Sequence, residues 1–249
     1  MLNRVRTELE APPLSHVITG AICSVISFFS LPFLLWRISE GFYDDPFMLS
    51  WFEIAFHILN FTICYFLFRE YLEDSLLNMQ LNKEKFITVV SVSAGLILAI
   101  ALLFHVAFRL TGNELLYVAA FGAAPITEMD VLVLSGTAAV YNPIFTIACT
   151  VLITPVITGC LFYAIGFCYF YNIHPLLSIA TICFAVGFPR LCSGATWWVP
   201  EQQLVVYLAQ LPAHLICCWA YKKTDTVWAP IATLMAVNLI ACIVTAIAY

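Results

Sequence analysis

The chain has 249 residues, of which 63% are hydrophobic and only 10% are charged, and its mean hydropathy is +0.96. Soluble domains are about 45–50% apolar and about 25% charged, because a surface that faces water needs polar cover. The composition therefore excludes an ordinary soluble domain and predicts a surface that faces lipid. The net charge of −5 excludes the basic surface that nucleic-acid binding requires.

Apolar runs long enough to cross a bilayer recur along the chain and are separated by charged and turn-forming residues. We predict an all-α, polytopic integral membrane protein with about seven transmembrane helices, over His16–Trp36, Met48–Phe68, Phe86–Phe108, Ala138–Tyr171, Leu176–Phe188, Gln203–Tyr221 and Val227–Ala248. A weaker stretch, Leu115–Ala124, is predicted to be re-entrant or interfacial. The chain then divides into residues 1–137, with three helices and this segment, and a core formed by residues 138–249.

The fourth run is longer than a single span needs. It is compatible with one long, tilted or kinked helix, or with two helices broken at Pro155, and we favour one helix. With seven spans and a cytoplasmic N-terminus, seven cations lie inside and three outside, which supports that orientation by the positive-inside rule. We expect the plasma membrane as the location. The inner group is Arg4, Arg6, Arg69, Lys83, Lys85, Lys222 and Lys223, and the outer group is Arg37, Arg109 and Arg190.

The ten cysteines do not predict a disulfide framework. Nearly all lie inside apolar runs, where a thiol behaves as a small hydrophobic side chain, and only Cys192 falls at a predicted helix end. The sequence has no Cys/His cluster with the spacing of a zinc site. We therefore expect buried thiols and neither a metal ion nor another cofactor.

Ionisable and polar residues within the apolar runs are candidates for function, because they are costly in lipid. Glu53 and His57 lie four residues apart and share one face of a helix. They could form a proton relay or half of a metal site. Alternatively, Glu53 lies at headgroup depth and His57 serves an interhelical contact. His214 could contact a backbone carbonyl or the second span. Asn238 is either an interhelical hydrogen-bonding residue or part of a site. Trp197 and its neighbour Trp198 indicate an anchor at the headgroup level.

The segment Tyr221–Ile231 reads Tyr-Lys-Lys-Thr-Asp-Thr-Val-Trp-Ala-Pro-Ile and is followed by Asn238. It resembles the CAAX protease and bacteriocin-processing (CPBP, or Abi) family of intramembrane endopeptidases, in which Trp-Ala-Pro-Ile leads into a helix with His-x-x-x-Asn. Asn238 matches the asparagine, whereas Leu234 occupies the histidine position. The resemblance covers the chain from Pro155 to Ala248.

The two earlier motifs of that family match at the residues around the catalytic positions, but the catalytic residues themselves are replaced. The Phe-x-x-x-His motif corresponds to Phe184 and Phe188, so that a phenylalanine occupies the histidine position. In the Glu-Glu-x-x-x-Arg motif, Thr158 and Gly159 replace the glutamates and Tyr163 replaces the arginine. The resemblance implies a glutamate base that activates water, with His and Asn groups that bind a metal or stabilise an oxyanion; these replacements cannot supply that chemistry.

The resemblance thus predicts a catalytically degenerate membrane protein that binds a hydrophobic peptide or the transmembrane helix of a partner, with a role in peptide processing, immunity or regulation. Two alternatives remain open. The first is an active endopeptidase that uses Glu128 with Asp130, or Glu53 with His57; the rival position of the first motif, at Ala124–Met129, retains Glu128. The second is a small transporter or an export-channel subunit, for which inverted repeats would be the expected mark.

Overall fold

The computed structural model describes residues 14–25, 46–123, 143–192 and 200–248. These residues form helices joined by short turns and contain no β-strand, so the all-α prediction is confirmed for them. The helices are α1 (Leu14–Val25), α2 (Pro46–Leu81), α3 (Lys83–Thr111), α4 (Glu114–Ala123), α5 (Pro143–Ile173), α6 (Pro175–Cys192), α7 (Pro200–Thr224) and α8 (Trp228–Ala248).

Three helices of the described chain are long and apolar enough to cross a membrane: α3, α5 and the Leu204–Thr224 part of α7. Two shorter apolar helices, Pro175–Val186 and Trp228–Val244, accompany them. These helices support a membrane protein, and the total of seven spans stays a prediction. The predicted bounds agree with the helices to within a few residues in α3, α7 and α8.

Helix α2 extends thirteen residues beyond the predicted span end at Phe68 and finishes at Leu81. Its continuation carries an exposed ion pair, in which Arg69 Nε donates to Glu73 Oε1 at 2.8 Å. This hydrogen bond raises the pKa of the Arg69 guanidinium. Pairs four residues apart stabilise a helix in water, so the helix persists where its apolar run has ended.

Helix α5 runs from Pro143 to Ile173 without a break at Pro155. Two of its segments, Cys149–Ile153 and Gly159–Tyr169, are π-helical, with wider turns than an α-helix. A proline removes one backbone donor from a helix, and membrane helices tolerate it because local π adjustments satisfy the freed carbonyls again. The expectation of one long helix is therefore confirmed for residues 143–173, and the helix is not broken at Pro155.

The stretch predicted to be re-entrant or interfacial is the short helix α4, which packs along α3 and α7. The chain turns into it at Gly112, which has a φ of 66° and donates its N–H to Phe108 O at 2.7 Å. Buried Ala119 and Ala123 of α4 pack against Ala209 of α7. Small side chains of this kind let helix backbones approach closely within a membrane.

Helix α5 lies at the centre of the bundle, with α7 running parallel to it and α8 antiparallel. Two contacts along each helix pair fix these directions: Tyr163 with His214 and Phe167 with Tyr221 between α5 and α7, and Thr150 with Asn238 and Gly159 with Ile231 between α5 and α8. Helix α6 turns back along α5 after His174, whose backbone is extended. Of the eight cysteines whose side chains are described, seven are buried and none is in a disulfide, so the predicted burial of thiols is confirmed for these seven.

The described cations fall into two groups at opposite ends of the bundle. One end, which we call the cationic end, contains the end of α2, the start of α3, the ends of α5 and α7, and the start of α8. Lys222 Nζ lies 4.9 Å from the centroid of the Tyr171 ring there. The described cations of this end are Arg69, Lys83, Lys85, Lys222 and Lys223, while Arg109 and Arg190 belong to helix ends at the opposite side.

Candidate functional site

The contact between α5 and α8 holds four of the six positions that the family resemblance singles out. Asn238 Nδ2 donates to Thr150 O across it at 2.9 Å. Nine residues along α5, a Cβ added to Gly159 would lie 2.3 Å from Ile231 Cγ1. The four positions are all buried: Thr158, Gly159, Leu234 and Asn238.

Helices α5 and α8 approach each other closely at Gly159, where the glycine lies against Ile231. A separation of 2.3 Å is far below any normal carbon–carbon contact, so a residue with a Cβ fits here only if the Ile231 side chain shifts. The position that the family assigns to a glutamate is therefore filled by a neighbouring helix. No space for a substrate exists between Gly159 and Ile231, and the frame of the motif serves helix packing at this point.

The Asn238 amide is only partly satisfied. Its Nδ2 bonds to α5, but its Oδ1 has no hydrogen-bond partner among the described residues, and neither has the adjacent Thr150 Oγ1. One interhelical hydrogen bond fits the interpretation of Asn238 as a residue that joins two helices. The partner across the helix contact is the Thr150 carbonyl, and the Tyr163 hydroxyl bonds elsewhere.

Tyr163 instead meets a residue of α7. Its hydroxyl lies 2.8 Å from His214 Nδ1, and both side chains are buried, at 0% and 4% exposure. The Phe162 ring lies 5.6 Å from the His214 ring. Our expectation that His214 contacts a backbone carbonyl missed this tyrosine, because no spacing within the sequence relates residues that are 51 positions apart.

The turn between α7 and α8, which carries the Tyr-to-Ile motif, is fastened to α2 by several hydrogen bonds. Thr226 Oγ1 donates to Ser75 O at 2.8 Å and lies 2.7 Å from Ser75 Oγ. Val227 N donates to Ser75 Oγ at 2.9 Å, and Trp228 Nε1 donates to Leu72 O at 3.0 Å. This α2–turn contact, together with a Tyr71–Tyr221 hydroxyl pair, holds the start of α8 in place.

The acid and base candidates of the active-endopeptidase alternative are described only in part or not at all. Glu53 and His57 lie one turn apart on the α2 backbone, as predicted, and their side chains fall outside the described residues. Glu128 and Asp130 fall outside them entirely, as do Trp197 and Trp198. The Phe188 backbone belongs to α6, and its side chain is likewise not described. Within the described residues, no group of three or more His, Cys, Asp and Glu side chains could hold a metal ion.

Sequence reasoning missed Ser75 and Ile231, which hold the start of α8 against α2 and α5. Ser75 sits in a polar, charged part of the sequence, where a serine carries no signal of burial, yet it is 5% exposed. Ile231 is one of many isoleucines in apolar runs. Only the crossing of α5 and α8 distinguishes it.

Comparison with known proteins gives no match: no family model fits the chain, and no curated protein or solved structure is significantly similar to it.

Proposed function

We propose that this chain is a non-proteolytic membrane protein that resembles CAAX proteases in its frame and binds the transmembrane helix of a partner. The residues at the positions aligned with the family motifs support the absence of proteolysis. Thr158, Gly159, Tyr163 and Leu234 include no acid that could act as a general base and no metal-binding imidazole. The packing of Gly159 against Ile231 also leaves a peptide no room there. A partner would therefore bind on the outside of the bundle.

The outer face of α3 supports the proposed binding of a partner's transmembrane helix. Ser91, Gly95 and Ala99 are exposed and lie four residues apart, so they form a stripe along one side of a candidate membrane span. The opposite side of the same helix is buried, through Val89, Ser93, Ala94 and Ile97. Small residues at a spacing of four are the surface on which transmembrane helices associate most closely.

Gly95 is the observation that carries this proposal. A Cβ added there would meet no atom within 4 Å, so nothing among the described residues requires a glycine at this position. Glycine in a helix interior costs about 0.5–1 kcal/mol relative to alanine. A contact from outside the chain is what benefits from its small size. Within lipid the contacting backbone has to be helical, because its polar groups must be satisfied internally.

Cross-linking in native membranes tests the proposal with a matched pair of variants. Gly95→Leu adds bulk to the stripe without an internal clash, and Ala180→Leu adds bulk to an exposed position of α6. We expect Gly95→Leu to lose the cross-linked partner while Ala180→Leu keeps it, with unchanged melting temperatures. A cross-linked product that contains only this chain would identify the occupant as a second copy. Equal capture by both variants would contradict the proposed surface.

The absence of proteolysis has its own test. We expect the purified protein to cleave no peptide and to retain no stoichiometric zinc. Cleavage that is abolished by Glu128→Ala or Glu53→Ala would instead establish the active-protease alternative.

The proposed location is the plasma membrane, with a cytoplasmic N-terminus and the cationic end of the bundle inside. Membrane-impermeant thiol labelling of intact cells tests the orientation. Asn113→Cys should be labelled from outside and Lys223→Cys should not, since both positions are exposed at opposite ends of the bundle. The reverse pattern would invert the proposed topology.

A further inference from the structure

A groove of about 300 Å³ lies at the cationic end, where α2 finishes and α3 begins. This volume is at the lower limit of ligand pockets, which measure about 300–1,000 Å³. Its walls are almost entirely apolar, and one cation stands at its edge. The lining residues are Met79, Gln80, Lys83, Phe86 and Ile87.

The groove lies where an apolar helix begins. Helix α3, which is long and apolar enough to cross a membrane, starts at Lys83. Val89, less than one turn beyond Phe86, packs with Ala229 near the start of α8, and the adjacent Trp228 donates its indole N–H to Leu72 O. Tryptophan is enriched at the membrane–water interface. With α3 as a membrane span, we expect the groove at the level of the lipid headgroups, next to the apolar part of α3.

The last turns of α2 have the surface of an interfacial segment. Leu77 and Leu81 are 58% and 81% exposed, although both lie beyond the predicted end of the span. Exposed leucines next to lysines suit the boundary between headgroups and acyl chains. On α3, Lys83 and Lys85 flank Glu84, so these three residues carry one net positive charge, and Lys83 is the charged residue that lines the groove.

We propose that this groove binds an anionic phospholipid. The Lys83 ammonium contacts the lipid phosphate, while the first part of an acyl chain lies against Phe86 and Ile87. A lipid is favoured over a protein segment as the ligand, because the groove opens at headgroup depth and combines an apolar floor with one cation at its rim. Basic pockets of this kind at the cytoplasmic side of membrane helices bind anionic headgroups.

Native mass spectrometry of the full chain in a neutral detergent tests the site. The protein is titrated with phosphatidylglycerol or with phosphatidylcholine, and the bound lipid is counted. We expect phosphatidylglycerol to be preferred, and Lys83→Gln to weaken its binding about fivefold, the effect of one lysine near a charged lipid surface. Lys223→Gln is the matched control, because Lys223 is exposed at the same end but outside the groove. It should leave the binding unchanged.

A second pair of variants tests the groove without altering charge. Ile87→Trp fills it and should abolish the preference for phosphatidylglycerol, whereas Val106→Trp, at another exposed position of α3, should not. Equal losses from Lys83→Gln and Lys223→Gln, equal binding of the two lipids, or full binding by Ile87→Trp would each overturn the proposal. Gly95→Leu should retain the lipid, so that failure of the partner surface and failure of the lipid site are distinguishable.

Discussion

Two glycines in different candidate spans stand in opposite surroundings. A Cβ at Gly159 of α5 would clash with the Ile231 side chain, whereas a Cβ at Gly95 of α3 would meet no described atom within 4 Å. Within the described residues, the first glycine serves the packing of two helices and the second does not. The comparison teaches that a glycine inside the bundle can be explained by packing within the chain, whereas the glycine on the outer face of α3 marks the surface that we propose for a partner.

The largest expected effect is at the buried glycine. Gly159→Ala places a methyl group against Ile231 and should lower the free energy of unfolding by about 1–3 kcal/mol, the usual cost of overpacking. Gly95→Ala should instead raise it by about 0.5–1 kcal/mol, because alanine is favoured over glycine in a helix interior and the added Cβ meets no described atom. Thermal melting in detergent measures both. If Ile231→Ala does not partly restore the Gly159→Ala variant, the close contact is not the cause.

The α2–turn contact comes next. Ser75→Ala removes the acceptor of the Val227 N–H and a partner of the Thr226 hydroxyl, both buried. Leaving such groups unpaired costs about 1–3 kcal/mol. Ser91→Ala, on the exposed stripe of α3, is the control and should have no effect on melting. Equal melting temperatures for the two variants would show that the contact contributes little.

A smaller effect is expected at the Tyr163–His214 pair. Tyr163→Phe removes one interhelical hydrogen bond and keeps the packing of the ring. Interhelical hydrogen bonds in membrane proteins average about 0.6 kcal/mol. A double-mutant cycle with His214→Phe measures the coupling. A loss of partner capture in the Tyr163→Phe variant would show that this pair has a role beyond stability.

The smallest effect is expected at Asn238. Asn238→Leu removes the bond to Thr150 O, worth about 0.6 kcal/mol, but it also removes the unpartnered Oδ1, whose burial is unfavourable. The two changes nearly cancel, so stability should shift only slightly and partner capture should persist. A pull-down alongside a melting curve decides this. Loss of capture at an unchanged melting temperature would make Asn238 part of a binding site.

The sequence predicted some features well because they depend on local composition. Helix α3 was expected over Phe86–Phe108 and extends over Lys83–Thr111, since one continuous apolar run defines it. The end of α2 was misplaced, because charged residues such as Arg69 end an apolar run without ending a helix. The family positions could be numbered from the motif frame, but their neighbours could not. Gly159 was interpreted as a lost glutamate, and the structure gives it a packing role against Ile231.

The sequence by itself determined that the chain is helical and apolar enough for a membrane, because hydropathy and helix length are sums over neighbouring residues. It also determined which aligned positions lack acids and imidazoles. Only the tertiary structure decided that Ser75 meets Thr226, 151 positions away, and that His214 meets Tyr163. Such pairings depend on which faces of two helices meet and at what register. No local pattern specifies that, since every face of an apolar helix offers similar side chains to its neighbours.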